Sequence, residues 1–357
     1  MHILARAFLA MSLAAVFAAL ASSAAAQARE TLIRVVDVGQ GLCVVARAPE
    51  GQVLLYDAGF SGTFCADSVR ELAGTSPIDV VVFSHSDLDH ILDGADILGQ
   101  QGARLILHPG DARHGVQLDA LRVGINNLEH AGTQVIDMSR NPAPFGTTFP
   151  LGSVTLRFIA GWSDGAATKA PGDPVLPQAD GYNALSLVIR LEYAGHAVLL
   201  TGDTIGRRRK EAGTACRNAE RIMTAGAVPI ASDVLVGQHH GGDNGTSNCF
   251  IRAVKPKWVV FSAGRGHGHP AQSVADRLIA NGVNPDNMLR TDRADGTEAQ
   301  WVYGTVAGCR DEPGDDDVEI RLFGDGSSPQ VQYRKLEVQC PSRGPGGSLP
   351  PLRRPVP

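Results

Sequence analysis

The 357-residue chain has few aromatic residues and no excess of positive charge. Aromatic side chains make up 5% of the sequence, and 37 Asp and Glu residues outnumber 32 Lys and Arg residues, giving a formal net charge of −5. A protein that binds nucleic acid stably usually presents an extended positive field, so we expect no stable nucleic-acid complex. The hydrophobic fraction of 43% is nevertheless ordinary for a globular protein.

Long apolar runs are also missing after the N-terminus. Residues 1–28 contain Arg6, then an Ala/Leu/Phe-rich stretch, then small residues ending in Ala26-Gln27-Ala28. This order predicts a secretory signal peptide with an A-x-A cleavage site. A membrane anchor is the alternative, but the apolar run is short for a bilayer span. We therefore predict an exported protein, periplasmic or secreted, whose mature chain has no membrane span.

The six cysteines include no CxxC pair, which disfavours a cysteine-rich metal cluster. An even number of cysteines in an exported chain predicts disulfides. The sequence alone leaves 15 connectivities open. Because neighbouring segments close most readily, we predict sequential pairing: Cys43 with Cys65, Cys216 with Cys249, and Cys309 with Cys340.

Short β-branched runs alternate with helical segments in two halves of the chain, which predicts a layered α/β fold. We predict a helix over roughly 205–224 and a loop-rich stretch over 138–182. The predicted organisation is a signal peptide at 1–28, one main domain at 29–305, a C-terminal β-hairpin extension at 306–340 and a disordered tail at 341–357.

Histidines and aspartates follow the ends of six predicted strands. Such a pattern is typical of a site that loops assemble on a rigid sheet. Imidazole and carboxylate groups together suit two divalent metal ions, either Zn or Mn. The alternative is that these residues cap helices and turns, an explanation that accounts for single residues better than for the whole set. The set comprises Asp57, His85, Asp87, Asp89, His90, His108, Asp203, His239, His240, His267 and His269.

The spacing of these residues resembles the metallo-β-lactamase fold superfamily, and most closely the domain of that type in ComEC competence proteins. The motifs that carry the resemblance span about residues 31–300 in the same order. The resemblance implies a four-layer αββα sandwich with the site at one edge of the paired sheets. The matching stretches are Asp37-Val38-Gly39-Gln40-Gly41, Asp57-Ala58-Gly59, Ser84 to His90, Thr201-Gly202-Asp203, His239-His240-Gly241, Gly268-His269-Pro270, and Arg290-Thr291-Asp292 with Gly296.

The resemblance also implies roles for single residues. His85 and Asp87 would bind one metal, while Asp89, His90 and His269 would bind the other. Asp203 would bridge the two metals. Asp57 would lie behind them and orient a ligand, and Asp89 and His240 would act in catalysis. The sequence does not decide whether His108 or His239 is a ligand. Asp87 replaces the second His of the superfamily signature HxHxDH, which makes manganese a candidate beside zinc.

These features together predict an exported metal-dependent hydrolase that uses a metal-bound hydroxide. The ComEC resemblance favours a small-molecule or single-stranded phosphodiester as substrate. Lactone or β-lactam hydrolysis is the alternative within the same fold, because fold alone does not fix chemistry. A non-catalytic metal-binding protein on the same scaffold is the alternative from another class. The sequence predicts no particular oligomeric state.

Overall fold

The architecture is that of a computed structural model, which describes residues 29–59, 62, 64–110, 116–161, 173, 176–208, 211, 216–264, 267–292 and 316–335. The predicted signal peptide and tail lie outside the described residues. Among the residues that are described, no helix combines the length and apolarity that a membrane crossing requires.

Strands from both ends of the described chain form the first sheet. The order of its eight strands is β15-β14-β1-β2-β3-β4-β5-β6. The three pairs from β3 to β6 are parallel, and the pairs from β15 to β3 are antiparallel. The strands are β1 Glu30–Val35, β2 Val44–Arg47, β3 Val53–Tyr56, β4 Ile78–Val82, β5 Ala103–His108, β6 Gln134–Asp137, β14 Val318–Phe323 and β15 Gln330–Tyr333.

The second sheet repeats this division into an antiparallel and a parallel part. The order of its seven strands is β13-β12-β11-β10-β9-β8-β7, with parallel pairs from β10 to β13. The pairs from β7 to β10 are antiparallel. The strands are β7 Thr148–Leu151, β8 Val154–Ala160, β9 Val188–Tyr193, β10 His196–Leu200, β11 Val234–Val236, β12 Trp258–Phe261 and β13 Met288–Arg290.

Three separate apolar layers show how the sheets and helices stack. One layer lies between the sheets, because both contribute to it, for example through Ile33 and Leu54 from the first sheet and Leu200 from the second. Another lies between the first sheet and its helices, and the third between the second sheet and its helices. Three apolar layers require four layers of structure, so the predicted αββα sandwich is confirmed. The helices are α1 Phe64–Ala73, α2 Leu88–Ile91, α3 Gly94–Gln101, α4 Val116–His130, α5 Gln178–Asn183, α6 Asn218–Ala225, α7 Asn248–Val254 and α8 Gln272–Ala280, with 3-10 turns at Gln238–Gly241 and Pro285–Asn287.

Two disulfides follow the predicted pairing. Cys43, which directly precedes β2, is bonded to Cys65 on α1, and Cys216 is bonded to Cys249 on α7. The third predicted pair, Cys309 with Cys340, lies outside the described residues. The C-terminal hairpin is present as β14 and β15. Since β14 pairs with β1 along its whole length, the hairpin forms the edge of the first sheet.

The predicted helix over 205–224 is wrong in its first part. Described residues from 204 to 208 are not helical, and the helix begins only at Asn218. Arg207 explains the difference, because its buried guanidinium donates to the Asp243 carbonyl oxygen and clamps one loop to another. The predicted loop-rich stretch over 138–182 contains β7 and part of α5, and also β8, where the run SVTLRFIA predicts a strand.

The parallel strands bring the polar motifs to one edge. Carboxyl ends of parallel strands meet on the same side of a sheet. In the first sheet the ends of β3, β4 and β5 lead into Asp57, His85 and His108. In the second sheet the ends of β10 and β11 lead into Asp203 and the His239-His240 pair.

Candidate metal centre

Asp203 lies at the centre of a cluster of imidazoles and carboxylates. It follows β10 through Gly202, where a side chain would not fit: an added Cβ would lie 2.8 Å from the Ser84 side chain. Gly202 also adopts a φ of +50°, which favours glycine. The two sheets can therefore approach closely here, and Asp203, 3% exposed, reaches residues from both.

One oxygen of Asp203 faces His90 and His240. The Oδ1 atom lies 3.1 Å from His90 Nε2 and 3.4 Å from His240 Nε2. Asp89 joins this group, with its Oδ2 atom 3.3 Å from His240 Nε2. The ligating atoms of Asp89, His90, Asp203 and His240 all lie within 4.8 Å of one another. We call this group the Oδ1 half of the centre.

The other oxygen of Asp203 faces a second group. The Oδ2 atom lies 3.7 Å from His239 Nε2 and 3.8 Å from His85 Nε2. Asp87 completes the group, with its Oδ2 atom 3.8 Å from His85 Nε2. We call His85, Asp87, His239 and Asp203 Oδ2 the Oδ2 half. The cluster is thus divided between the two oxygens of a single carboxylate.

The hydrogen bonds at Nδ1 determine what each imidazole presents to the cluster. His90 Nδ1 lies 2.7 Å from Asp57 Oδ2, and His240 Nδ1 lies 2.9 Å from the Ser262 carbonyl oxygen. Both partners can only accept, so each Nδ1 carries a hydrogen. In the neutral tautomer, the Nε2 atom of both rings then presents a lone pair to the cluster.

The same reasoning holds in the Oδ2 half. Ser84 Oγ donates to Asp57 Oδ2 at 2.6 Å, so it accepts from His85 Nδ1 at 3.0 Å. His239 Nδ1 lies 2.8 Å from Asn244 Oδ1. Four Nε2 atoms therefore converge on the two oxygens of Asp203 in an orientation suited to a cation.

The spacing of these atoms also fits divalent metal ions. Four ligands placed tetrahedrally about 2.1 Å from a zinc ion are separated by about 3.4 Å. The distances that join neighbouring ligating atoms run from 3.1 to 3.4 Å in the Oδ1 half and from 3.7 to 3.8 Å in the Oδ2 half. His90 Nε2 and His240 Nε2 lie only 3.2 Å apart, a distance at which two lone pairs repel unless a cation or a proton lies between them.

Electrostatics in the metal-free state place protons where a cation would bind. Burial opposes a charge on His240, but Asp203 and Asp89 outweigh it and raise the pKa of His240 to about 10. Burial likewise opposes a charge on His90, yet nearby carboxylates, Asp203 foremost, raise its pKa well above the usual value. The pKa of Asp203 lies well below its ordinary value, since the surrounding imidazoles outweigh the effect of burial. Burial and the neighbouring His90 instead hold the pKa of His85 well below its usual value.

Strained backbone turns both adjacent histidines into the cluster. His239 and His240 have φ values of +48° and +54°, and Asp57 has a φ of +59°. Such conformations cost roughly 1–3 kcal/mol each in residues other than glycine and persist where the surroundings impose them. Adjacent residues of an extended strand would point to opposite faces, whereas this turn directs His239 and His240 to the two oxygens of the same carboxylate.

Most of the residues predicted from the sequence lie in the cluster, but His269 and His108 lie outside its two halves. His85, Asp87, Asp89, His90 and Asp203 lie together, and Asp57 lies behind His90. His240, predicted to act in catalysis, is within ligand distance of the Oδ1 half. His269, predicted as a ligand there, instead packs its ring 5.3 Å from that of His239 and is outside the four-residue group. His108 lines a cavity beside His85, and its Nδ1 accepts a hydrogen bond from the Gly110 main chain.

Comparison with known proteins agrees with this arrangement. The sequence profile of the metallo-beta-lactamase superfamily matches residues 36–264. The chain belongs to this superfamily. Proteins of the superfamily normally bind divalent metals, and the His/Asp cluster described above lies within the matched residues, with His269 just beyond them.

Two competence proteins are similar to the chain within this superfamily. Competence protein ComA of Neisseria gonorrhoeae is 26% identical over 281 residues, which cover 74% of this chain and 31% of that protein. ComE operon protein 3 of Bacillus subtilis (strain 168) is 23% identical over 283 residues, covering 73% of this chain and 32% of that protein. The chain thus spans about a third of the length of these curated relatives.

Among solved structures, the metallo-beta-lactamase fold protein YhfI from Bacillus subtilis covers 72% of this chain. The match includes 95% of YhfI, at 12% identity and a TM-score of 0.42.

Asp57 supports the superfamily site from behind. Its Oδ1 atom accepts from the Ser84 main-chain nitrogen at 2.6 Å, while its Oδ2 atom contacts Ser84 Oγ and His90 Nδ1. Carboxylates that orient ligating imidazoles commonly contribute 10- to 100-fold to metal affinity. We therefore expect Asp57→Asn to weaken metal binding by about 10- to 100-fold, as measured by calorimetric titration of the metal-free protein.

The matched control for this change is Asp79→Asn. Asp79 also accepts a main-chain hydrogen bond, from Val53. It lies at the beginning of β4, whereas the cluster follows the end of that strand. We expect the control to leave metal affinity unchanged. Equal affinities for the native protein and the Asp57 variant would show that His90 needs no carboxylate to orient it.

Proposed function

We propose that the chain is an exported two-metal hydrolase that cleaves phosphodiesters, either small or single-stranded. The convergence of four imidazole Nε2 atoms on the two oxygens of Asp203 carries this proposal. Such a set suits two cations that share one bridging carboxylate. The similarity to competence proteins supports the choice of phosphodiesters.

Each half of the centre would hold one cation. Asp89, His90 and His240 would hold a cation at Asp203 Oδ1, while His85, Asp87 and His239 would hold one at Oδ2. We therefore assign His240 a ligand role in addition to its predicted role in catalysis. A bound pair of divalent cations supplies the Lewis acidity that activates water and stabilises the charge of the transition state.

The protein side chains would position the reacting groups. Asp89 is partly exposed at the cluster, and its pKa is lowered because His90 and His240 outweigh the effect of burial. It would therefore remain a carboxylate at neutral pH, able to accept a hydrogen bond from the attacking water as well as to bind a cation. Asp57 and Ser262 would keep His90 and His240 in the tautomer that presents Nε2.

The export part of the proposal rests on the disulfides. Cys43–Cys65 and Cys216–Cys249 would be reduced in most cytosolic compartments and persist in oxidising ones. The predicted signal peptide at 1–28 points to the same compartment.

The decisive experiment measures hydrolysis of bis(p-nitrophenyl) phosphate by the purified protein after reconstitution with Mn²⁺ or Zn²⁺. We expect turnover with two bound cations per chain and loss of turnover on chelation. A lactone and a β-lactam are assayed beside it with the same preparation. Two bound cations with turnover of a lactone or β-lactam alone would overturn the phosphodiester preference, and a preparation that binds no cation would contradict the two-metal centre.

A further inference from the structure

Asn183, at the end of α5, lies against the Oδ2 half of the centre. Its side chain is buried, and the residue belongs to none of the sequence motifs named above. One terminal atom of the amide lies 3.3 Å from Asp87 Oδ2 and 3.2 Å from the Ala179 carbonyl oxygen. Since both neighbours can only accept, this atom is the donating nitrogen. The amide oxygen is then the atom that lies 3.4 Å from His239 Nε2.

The contact between the Asn183 amide oxygen and His239 Nε2 resembles the contacts at the Asp203 oxygens, because an oxygen and an imidazole nitrogen face each other in both. The Nδ1 atom of His239 donates to Asn244, so in the neutral ring its Nε2 atom presents a lone pair. An amide oxygen also presents lone pairs and cannot donate. Two acceptors that face each other at 3.4 Å are stabilised by a proton or a cation between them, and the separation equals that between His240 Nε2 and Asp203 Oδ1 in the other half.

The main chain fixes Asn183 relative to Asp203. The Ser186 nitrogen donates to the Asn183 carbonyl oxygen at 3.0 Å, and Ser186 Oγ accepts from the Asp203 nitrogen at 3.1 Å. One residue further on, the Leu187 nitrogen donates to the Ser84 carbonyl oxygen at 2.9 Å. A short segment thus connects Asn183 to both sheets of the centre, so the amide is held in place before any ligand arrives.

We propose that Asn183 is a further metal-binding residue, and that it makes the two halves of the centre unequal. This inference rests on the proposed two-metal centre. The Oδ2 half then offers three oxygen donors and two nitrogen donors, from Asp87, Asn183, Asp203, His85 and His239. The Oδ1 half offers two of each. The additional oxygen donor and the wider spacing of the Oδ2 half favour Mn²⁺ there. The more compact Oδ1 half favours Zn²⁺.

The test isolates each half and measures cation affinity instead of turnover. His240→Ala removes a donor from the Oδ1 half, and Asp87→Ala removes one from the Oδ2 half. Mn²⁺ and Zn²⁺ dissociation constants are then determined for both backgrounds, with and without Asn183→Ala. We expect Asn183→Ala to weaken Mn²⁺ binding by about tenfold or more in the His240→Ala background, and to leave it unchanged in the Asp87→Ala background.

Two further variants make the result unambiguous. Asn183→His replaces the oxygen donor with nitrogen and should shift the preference of the Oδ2 half towards Zn²⁺, so it tests the proposal even if Asn183→Ala fails to fold. Asn281→Ala is the matched control, because its amide donates to Asn248 and Arg277, which lie outside the cluster. It should change neither constant.

The outcomes separate this inference from the proposed function. A native protein that binds two cations, with Mn²⁺ and Zn²⁺ constants unaffected by both Asn183 variants, would overturn the role of Asn183 alone. Equal weakening in both backgrounds would overturn it as well, since the effect would then not belong to the Oδ2 half. A native protein that binds no cation would contradict the two-metal centre itself.

Discussion

Replacing Asp203 with Asn is expected to remove one of the two cations and lower hydrolysis by about 1,000-fold. The physical reason is that an amide has only one oxygen, and its NH₂ group would point hydrogens at the imidazoles of one half. A metal pair contributes several kcal/mol to transition-state stabilisation, and each 1.4 kcal/mol corresponds to a tenfold change in rate. The measurements are metal content per chain and kcat/KM for the chromogenic phosphodiester.

Asp233→Asn provides the matched control for this change. Asp233 is also a carboxylate paired with an imidazole, 3.1 Å from His196 Nδ1, but it directly precedes β11 and contacts no residue of the cluster. The control should retain both cations and native turnover. If Asp203→Asn kept two cations per chain and native turnover, Asp203 would not bridge the centre.

The fold was predictable because its signals are local. Short β-branched runs and their order along the chain predict two halves of alternating strands and helices. The resemblance to the metallo-β-lactamase superfamily implies the αββα stacking that the three apolar layers confirm. The pairing of Cys43 with Cys65 and of Cys216 with Cys249 followed from their proximity along the chain.

The division of roles between histidines was less predictable because it depends on backbone conformation. In an extended segment only one of His239 and His240 would face the site. Their positive φ values instead direct both to Asp203. His240 therefore lies in the Oδ1 half, where the resemblance implied His269 as a ligand, and His239 lies in the Oδ2 half.

Two other residues carry no pattern that sequence reading can use. Asn183 is a single amide before a strand, and its contacts with Asp87 and His239 arise only when the two sheets pack together. Arg207 begins a run of four basic residues, a composition that is typical of a solvent-exposed segment. Its burial depends on the Asp243 carbonyl oxygen, 36 residues away in the chain.

Metal affinity is expected to rise steeply with pH, by up to about a hundredfold per unit. In the metal-free protein the pKa of His240 is about 10 and that of His90 is raised well above its usual value. We therefore expect both imidazoles to carry a second proton at pH 7, and both must lose it to bind a cation through Nε2. Asp203 releases no proton when a cation binds, because its lowered pKa keeps it ionised. Calorimetry in buffers of different ionisation enthalpy should show release of about two protons per chain.

The same groups predict opposite pH effects on the stability of the two forms. A raised pKa in the folded state stabilises the metal-free protein fully below the unfolded value of about 6.5, and this contribution is lost as pH rises towards the folded value. The lowered pKa of His85 reduces the stability of the folded protein only below about pH 6.5, where the unfolded state takes up a proton that the folded state does not. Between pH 7 and 9 the melting temperature should therefore fall in the presence of a chelator.

With saturating Mn²⁺ or Zn²⁺ the melting temperature should instead hold or rise over this range, because binding to the folded state strengthens as protons leave. His240→Gln removes one of the two proton-binding imidazoles and should reduce both the number of protons released and the pH slope of metal affinity. The surface residue His130 lies at the end of α4, and His130→Gln should leave both unchanged. Metal binding without proton release at pH 7 would show that His90 and His240 are already neutral in the metal-free protein, and the carboxylates around them would then not hold the protons assigned here.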